Sequence, residues 1–438
     1  MSGDRISLVF LPILHEAVRH GLTCPDRDNT EKANWMKTSG TNLPDTGRAT
    51  KNDSRGLNWP IVVNLSQQRA QVVGIDILRF FAAVLVFWYH LTFASWTFAA
   101  SFSRDIGVDF SGLSGLRPYA EFGWIGVEIF FVISGFVIAF TAQGSSAGRF
   151  LESRVLRLVP AAWICASITS LFLEEVSHQA DVLAPFLRSV TFSPIGPYVV
   201  GVYWTLAVEI VFYACVFALL ASNRFDRIER AVLIMGGLSS LYWLMWLWSW
   251  LAMPQLAPVL ARFVFSRVGQ LSLLEHGCFF GLGTLMWVIT TSGLTRRRLI
   301  FFLIFALAGW VQIFAECLRI ETELKWSPAA IWSLSIVLMI LAIRYNGAFA
   351  GIGEFFTSAM RLLGLSTYPL YLIHYPIGTW ITGRLYQAGY GWPVSISASL
   401  MSVIIAAVVI AMYPERWLRR AIRSLLSLFS PMRQRTSH

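Results

Sequence analysis

The feature that most constrains the fold is a succession of apolar stretches, each near the ~20 residues that a helix needs to cross a bilayer. Polar or basic segments separate each stretch from the next. Because backbone polar groups in lipid must be satisfied within the chain, such stretches form helices. We therefore predict an all-α, polytopic integral membrane protein of about ten transmembrane helices, at residues 75–97, 121–142, 157–173, 203–222, 231–252, 269–290, 299–316, 328–344, 364–382 and 394–413.

Composition and charge agree with a membrane protein. The chain has 438 residues, of which 55% are hydrophobic and 14% charged, and a formal net charge of +10. No nucleic-acid-binding motif accompanies the basic residues, so we expect no nucleic-acid partner. Lys and Arg concentrate in alternate loops, and the positive-inside rule then places both termini in the cytosol. The five widely spaced cysteines indicate neither a disulfide framework nor a metal site.

Two polar segments flank the predicted membrane domain. Residues 1–72 show no sustained apolar period and are predicted to be a disordered cytosolic tail, with an overlong gene start as the alternative. Residues 73–415 form the membrane domain, and residues 416–438 form a basic cytosolic tail.

The first span carries two ionisable residues. His90 follows Arg79 by eleven residues, which is roughly three helical turns and about 16 Å of rise, so both lie on one face. Ionisable residues within a membrane helix indicate a functional site by default. The structural alternative is that Arg79 reaches the lipid headgroups and His90 makes a hydrogen bond that only stabilises the fold.

This Arg-x10-His helix resembles the first helix of the acyltransferase family 3 proteins, which are bacterial integral membrane enzymes that O-acylate surface carbohydrates. Four later segments are similar to family motifs and occur in the family's order. The second-helix motif usually has Asp where this chain has Glu128, and a Trp-Ser-Leu motif has Thr205 in place of Ser. The four segments are residues 126–136, 154–160, 203–213 and 365–376.

The resemblance implies a reaction and its participants. It implies an O-acyltransferase of the bacterial inner membrane that uses a cytosolic acyl-CoA, most simply acetyl-CoA, and has no tightly bound cofactor. The acceptor would be a hydroxyl of a carbohydrate or lipid-linked glycan. Arg79, Arg154 and Arg157 are the candidate ligands of the donor's phosphates, since guanidinium groups bind phosphate oxygens bidentately. Arg154 and Arg157 are otherwise ordinary positive-inside residues.

Two imidazoles and two carboxylates are the candidate catalytic groups. His90 is the predicted base, because histidine titrates near neutral pH, and it is alternatively an acyl relay. Glu128 or Glu209 would orient the His90 ring, as a carboxylate does in hydrolytic triads. His374 is the fourth candidate. Hydrogen bonding between helices is the structural alternative for Glu209, and an aromatic interfacial turn with Tyr371 and Tyr375 is the alternative for His374.

The sixth span contains Glu275-His276, which matches no family segment. Interfacial packing is the leading interpretation, and a contact with the acceptor is the alternative. The glycines of the same span, Gly277, Gly281 and Gly283, predict close helix packing.

Two other classes of protein remain as alternatives. A proton-coupled secondary transporter of a small anionic solute would use buried His and Glu as a proton relay, but the sequence shows no internal repeat. The other large class of membrane-bound O-acyltransferases also uses an intramembrane histidine, and the position of His90 in the first span argues against it.

Overall fold

The computed structural model describes residues 72–98, 101–177, 181–323, 325–347 and 353–428. These residues form helices and connecting turns, and no strand occurs among them. Eleven principal helices follow one another along the chain: α1 Val73–Tyr89, α2 Gly126–Ala142, α3 Ala147–Ser177, α4 Trp204–Ala221, α5 Ile228–Ala252, α6 Gly277–Ser292, α7 Arg296–Arg319, α8 Ser327–Arg344, α9 Glu354–Gln387, α10 Trp392–Met412 and α11 Pro414–Leu428.

Helix length and hydropathy agree with a multi-pass membrane protein. Eight of the described helical stretches are long and apolar enough to cross a membrane. The other two predicted spans coincide with α6, which is a shorter apolar helix, and with α9, which is longer than its predicted span. The all-α polytopic fold is therefore confirmed.

The parts of the prediction that concern the chain ends stay predictions. Residues 1–71 and 429–438 lie outside the described residues, and the cytosolic location of both termini is untested. The boundaries of the predicted membrane domain are likewise untested. Residues 416–428 of the predicted basic tail belong to α11, which packs against α3.

The third and sixth spans differ from the prediction. α3 begins at Ala147, ten residues before the predicted span, because the helix continues through the arginine-rich segment that hydropathy excludes. The predicted sixth span is broken, since a short helix at Arg267–Leu271 ends before Leu273, whose φ is 60°. A non-glycine residue in the left-handed region interrupts a helix. Glu275 and His276 therefore lie at the break and not within a continuous span.

α1 packs against α2, α8 and α9. The chain stays helical after α1. His90–Ala94 forms a π-helical turn, and Ser95–Thr97 returns to α-helix. π-Helical turns within α-helices occur frequently at functional sites. The turn begins at the histidine that the sequence marks as the candidate base.

Glycines allow α2 and α6 to approach closely. A Cβ at Gly283 would overlap the carbonyl oxygen of Val132, and a Cβ at Gly135 would overlap that of Phe280. Small residues at such contacts let two backbones pack directly against each other. For Gly283, the predicted role in close helix packing is confirmed.

α9 contains the fourth of the later family-like segments, residues 365–376. It contains Pro369 and Pro376, and membrane helices tolerate proline because neighbouring groups satisfy the freed backbone carbonyls. The segment between the two prolines is buried against α1 and α3, and it carries His374.

Candidate functional site

A pair of histidines joins α1 to α9. The Nε2 atom of His374 lies 3.1 Å from Nδ1 of His90, and the ring centroids are 4.9 Å apart. His374 is 2% exposed, whereas His90 is only partly buried. The two candidate catalytic histidines, 284 residues apart in the chain, are therefore in direct contact.

The hydrogen-bond partners indicate which ring nitrogens carry protons. Nδ1 of His374 donates to the carbonyl oxygen of Tyr371 at 2.8 Å, so in the neutral ring Nε2 is an acceptor. Nδ1 of His90 faces two acceptors, namely the Val86 carbonyl oxygen at 2.9 Å and Nε2 of His374. Because a carbonyl oxygen only accepts, we assign the proton of His90 to Nδ1. Nε2 of His90 then carries the free lone pair.

Aromatic rings surround the histidine pair. The ring centroids of Tyr375 and Tyr89 lie 5.1 and 5.3 Å from that of His90, and Phe87 lies 6.3 Å from His374. These rings restrict the orientation of the imidazoles, because a packed ring has few alternative rotamers. The sequence showed the aromatic residues next to His374, but not that Tyr375 reaches the ring of His90.

A cavity of about 70 Å³ lies between α1, α2, α3, α4 and α9. Two arginines, Arg79 and Arg157, line it together with the carboxylate of Glu209 and the ring of Tyr371. Tyr371 precedes His374 by three residues, which is about 4.5 Å of helical rise. One turn of α9 thus separates the cavity from the histidine pair.

The three candidate phosphate ligands do not share one environment. Arg79 lies 3.6 Å from Asp76 and lines the cavity with Arg157. Arg154 is 7% exposed and packs its guanidinium over the rings of Phe150 and Tyr213, at 5.5 and 5.7 Å from the centroids. Arg154 is not among the cavity-lining residues.

The two candidate carboxylates contact neither histidine of the pair. Oε1 of Glu209 accepts a hydrogen bond from Ser134 at 2.7 Å, and Glu209 faces the cavity. Oε1 of Glu128 accepts a hydrogen bond from Nε2 of Gln312 at 3.1 Å. The group that contacts the His90 ring in the position expected for a carboxylate is His374. A catalytic role for Glu128 or Glu209 stays a prediction.

Glu128 belongs to a second buried polar cluster with Glu275 and His276. Nδ1 of His276 lies 4.0 Å from Glu128, and Nε2 lies 3.4 Å from Glu275. Among the described residues neither ring nitrogen has a hydrogen-bond partner, although the side chain is 1% exposed. The ring of Phe131, which packs 4.6 Å from that of His276, also lines the cavity.

The fold and the site define a multi-pass membrane protein with a histidine pair next to a basic cavity. The family model with the description "Acyltransferase domain", that of acyltransferase family 3, matches residues 72–412. This chain belongs to that family, and the protein is an acyltransferase. The resemblance inferred from five sequence segments is thereby confirmed.

A curated relative supports the same family. The exopolysaccharide production protein ExoZ of Rhizobium meliloti (strain 1021) is 25% identical over 321 residues, which cover 69% of this chain and 91% of the relative. No solved structure matches the chain significantly.

Proposed function

We propose that this protein is an O-acyltransferase that moves an acyl group, most simply acetyl, from acyl-CoA to a hydroxyl of a cell-envelope carbohydrate. The bacterial inner membrane is the proposed location, and exopolysaccharide is the favoured acceptor because ExoZ is an exopolysaccharide production protein. The observation that carries the proposal is the contact between His90 and His374, one turn of α9 away from a cavity lined by two arginines.

The proposed donor site is the cavity and its opening. Arg79 and Arg157 bind phosphate oxygens of acyl-CoA, because guanidinium groups form charge-assisted hydrogen bonds with phosphates. The thioester end of the donor then passes Tyr371 towards His90. Acyl-CoA is a substrate in this proposal, and no tightly bound cofactor is required.

The proposed chemistry uses the two histidines in different roles. Nε2 of His90 takes the proton of the acceptor hydroxyl as that oxygen attacks the thioester carbonyl. The ring of His90 becomes positively charged, and Nε2 of His374 accepts the hydrogen bond from Nδ1–H that holds the ring in place. Direct attack of His90 on the thioester, which would form an acyl-imidazole, is the alternative use of the same nitrogen.

Replacing His90 tests the proposal. The variants are His90→Ala and His90→Gln, and the measurement is the acetyl content of envelope glycans in a deletion strain that expresses each variant. Both variants should abolish acetylation while the protein remains in the membrane at the normal level. Phe81→Ala is the matched control, since Phe81 lies on α1 with 46% of its surface exposed.

The outcome also separates the enzyme from the transporter alternative. Full acetylation with His90→Ala would contradict the proposal. Family membership already favours the enzyme. Proton-coupled solute uptake by reconstituted vesicles, with glycan acetylation unchanged in the deletion strain, would favour a transporter instead.

A further inference from the structure

Most polar side chains near His90 have already used their hydrogen-bond donors. In the helical segment that follows α1, Thr92 donates to the Trp88 carbonyl oxygen at 2.6 Å, and Ser95 donates to that of Leu91 at 2.6 Å. Trp96 donates its indole N–H to the backbone carbonyl oxygen of Thr92. These donors satisfy backbone carbonyls that the π-helical turn leaves available, and none is directed at a substrate.

Tyr375 differs from these residues. Its ring is 5.1 Å from that of His90, and its hydroxyl oxygen accepts a hydrogen bond from the backbone N–H of Phe102 at 3.1 Å. Among the described residues no acceptor is found for the proton of that hydroxyl. The side chain is partly exposed, so a substrate can reach it. Tyr375 therefore holds an uncommitted O–H donor next to the candidate base.

We propose that Tyr375 is a further catalytic residue, whose hydroxyl donates a hydrogen bond to the oxyanion formed from the acyl carbonyl. This inference rests on the proposed acyltransferase reaction. Fixed donors directed at developing negative charge are a large source of rate enhancement in acyl transfer. The bond from Phe102 N–H fixes the phenol and polarises its O–H, which makes the hydroxyl a better donor.

The reaction balances without an added reagent. As the acceptor oxygen forms its bond to the carbonyl carbon, its proton moves to Nε2 of His90 and the C=O π electrons move to the carbonyl oxygen, which Tyr375 stabilises. When the C=O bond re-forms, the C–S bond breaks, and the departing thiolate takes the proton from His90. The products are the ester and CoA with a free thiol. If His90 itself attacks, the oxyanion forms on the same carbonyl oxygen.

The experiment uses the full-length protein in nanodiscs with acetyl-CoA as donor and lipid-linked glycans from the deletion strain as acceptor. CoA thiol release gives kcat and KM. Tyr375→Phe removes only the hydroxyl, and kcat should fall about a hundredfold, the usual scale for one oxyanion donor, with KM for acetyl-CoA little changed. Tyr198→Phe is the matched control, because the Tyr198 hydroxyl bonds to Ser193 and Arg267, away from both histidines.

A second variant distinguishes a catalytic role of the Tyr375 hydroxyl from a purely structural role, in which it only accepts the hydrogen bond from Phe102. Replacing Tyr375 with 3-fluorotyrosine strengthens the O–H as a donor and weakens the oxygen as an acceptor. Catalytic donation predicts a kcat equal to or above that of the wild type, whereas a purely structural tie predicts a lower one. Thermal unfolding of each variant, followed by size exclusion, checks that the folded fraction is normal.

The outcomes distinguish this inference from the proposed function. An active His90→Ala variant would overturn the proposed function. An inactive His90→Ala with a Tyr375→Phe variant that keeps wild-type kcat would overturn only the role of Tyr375. A kcat that falls on fluorination would also overturn it, because the hydroxyl would then act through Phe102.

Discussion

At the scale of single residues, the two histidines of the pair have different environments and so different capacities. The ring of His374 is buried and has both nitrogens engaged, by Tyr371 and by His90. His90 keeps one free nitrogen and is partly exposed. A group with no free nitrogen cannot take a proton from a substrate, so we propose that His374 acts as a positioning residue for His90.

Replacing His374 should lower turnover without removing the donor site. We expect His374→Ala to reduce kcat about a hundredfold, at the lower end of the range for general acid–base contributions. His374→Gln should lose less, because an amide oxygen accepts the hydrogen bond from Nδ1–H of His90. The measurement is CoA thiol release per folded protein. Equal kcat in the wild type and His374→Ala would contradict the positioning role.

Replacing each of the three candidate phosphate ligands should change KM for acetyl-CoA by different amounts. Arg79→Ala and Arg157→Ala each remove a charged donor from the cavity and should raise KM for acetyl-CoA about ten- to a hundredfold, the scale of a hydrogen bond to a charged group. Arg154→Ala should leave KM near the wild-type value and lower the thermal midpoint, because its guanidinium packs over Phe150 and Tyr213.

The arginine comparison also tests the family-based assignment. The resemblance groups Arg154 with Arg157, whereas the structure places only Arg157 at the cavity. Equal increases in KM for all three variants would show that the donor also reaches Arg154. Arg149→Ala is the control, since Arg149 is exposed at the start of α3 and does not line the cavity.

At the scale of helices, close packing of α2 against α6 holds the site's neighbours in place. α2 carries Phe131 and Ser134 to the cavity, and α6 begins directly after the buried His276. The two backbones approach at Gly135 and Gly283, where a side chain would overlap a carbonyl oxygen. We therefore expect a substitution at this contact to lower the stability of the folded protein, and to affect catalysis only through that loss.

Gly283→Val should destabilise the bundle by at least about 1–3 kcal/mol, the usual cost of overpacking. The measurement is the thermal midpoint in nanodiscs. Gly237→Val is the matched control, because Gly237 also lies within a helix but a Cβ there meets nothing within 4 Å. Equal midpoints for the two variants would contradict the close contact between α2 and α6.

At the scale of the whole molecule, the orientation of the bundle decides which substrate enters from which side. The positive-inside rule predicts that the loop between α6 and α7 lies in the cytosol, because Arg296, Arg297 and Arg298 follow it at the start of α7. The same rule predicts that the loop between α9 and α10 lies on the opposite side. The alternation of spans predicts a cytosolic location for both termini.

Reporter fusions test this topology. Alkaline phosphatase fused after Gly389 should be active, because the enzyme requires an extracytoplasmic location, and a fusion after Gly293 should be inactive. A fluorescent protein at the same two positions should give the inverse result. Phosphatase activity after Gly293 would reverse the proposed orientation, and with it the side from which acyl-CoA enters.

Local sequence patterns predicted the helical fold and several residues of the candidate site. A helix lies at each of the ten positions that the apolar stretches predicted, although the sixth predicted span is broken and the third helix begins earlier. Backbone polar groups in lipid must be satisfied within the chain, which favours helices. His90, His374, Arg79 and Arg157 stood out as costly groups within or beside such stretches. Hydropathy failed at the arginine-rich start of α3 and at the break before α6, because neither is encoded in local hydrophobicity.

The sequence by itself determined that this chain is a helical membrane protein, that it belongs to acyltransferase family 3, and that His90 is exceptional. Only the tertiary structure decided what touches His90. A carboxylate was the expected partner, but α9 brings His374 and Tyr375 to the ring, while α7 brings Gln312 to Glu128. Contacts between distant helices depend on how helix faces pack together, and no local pattern encodes that packing.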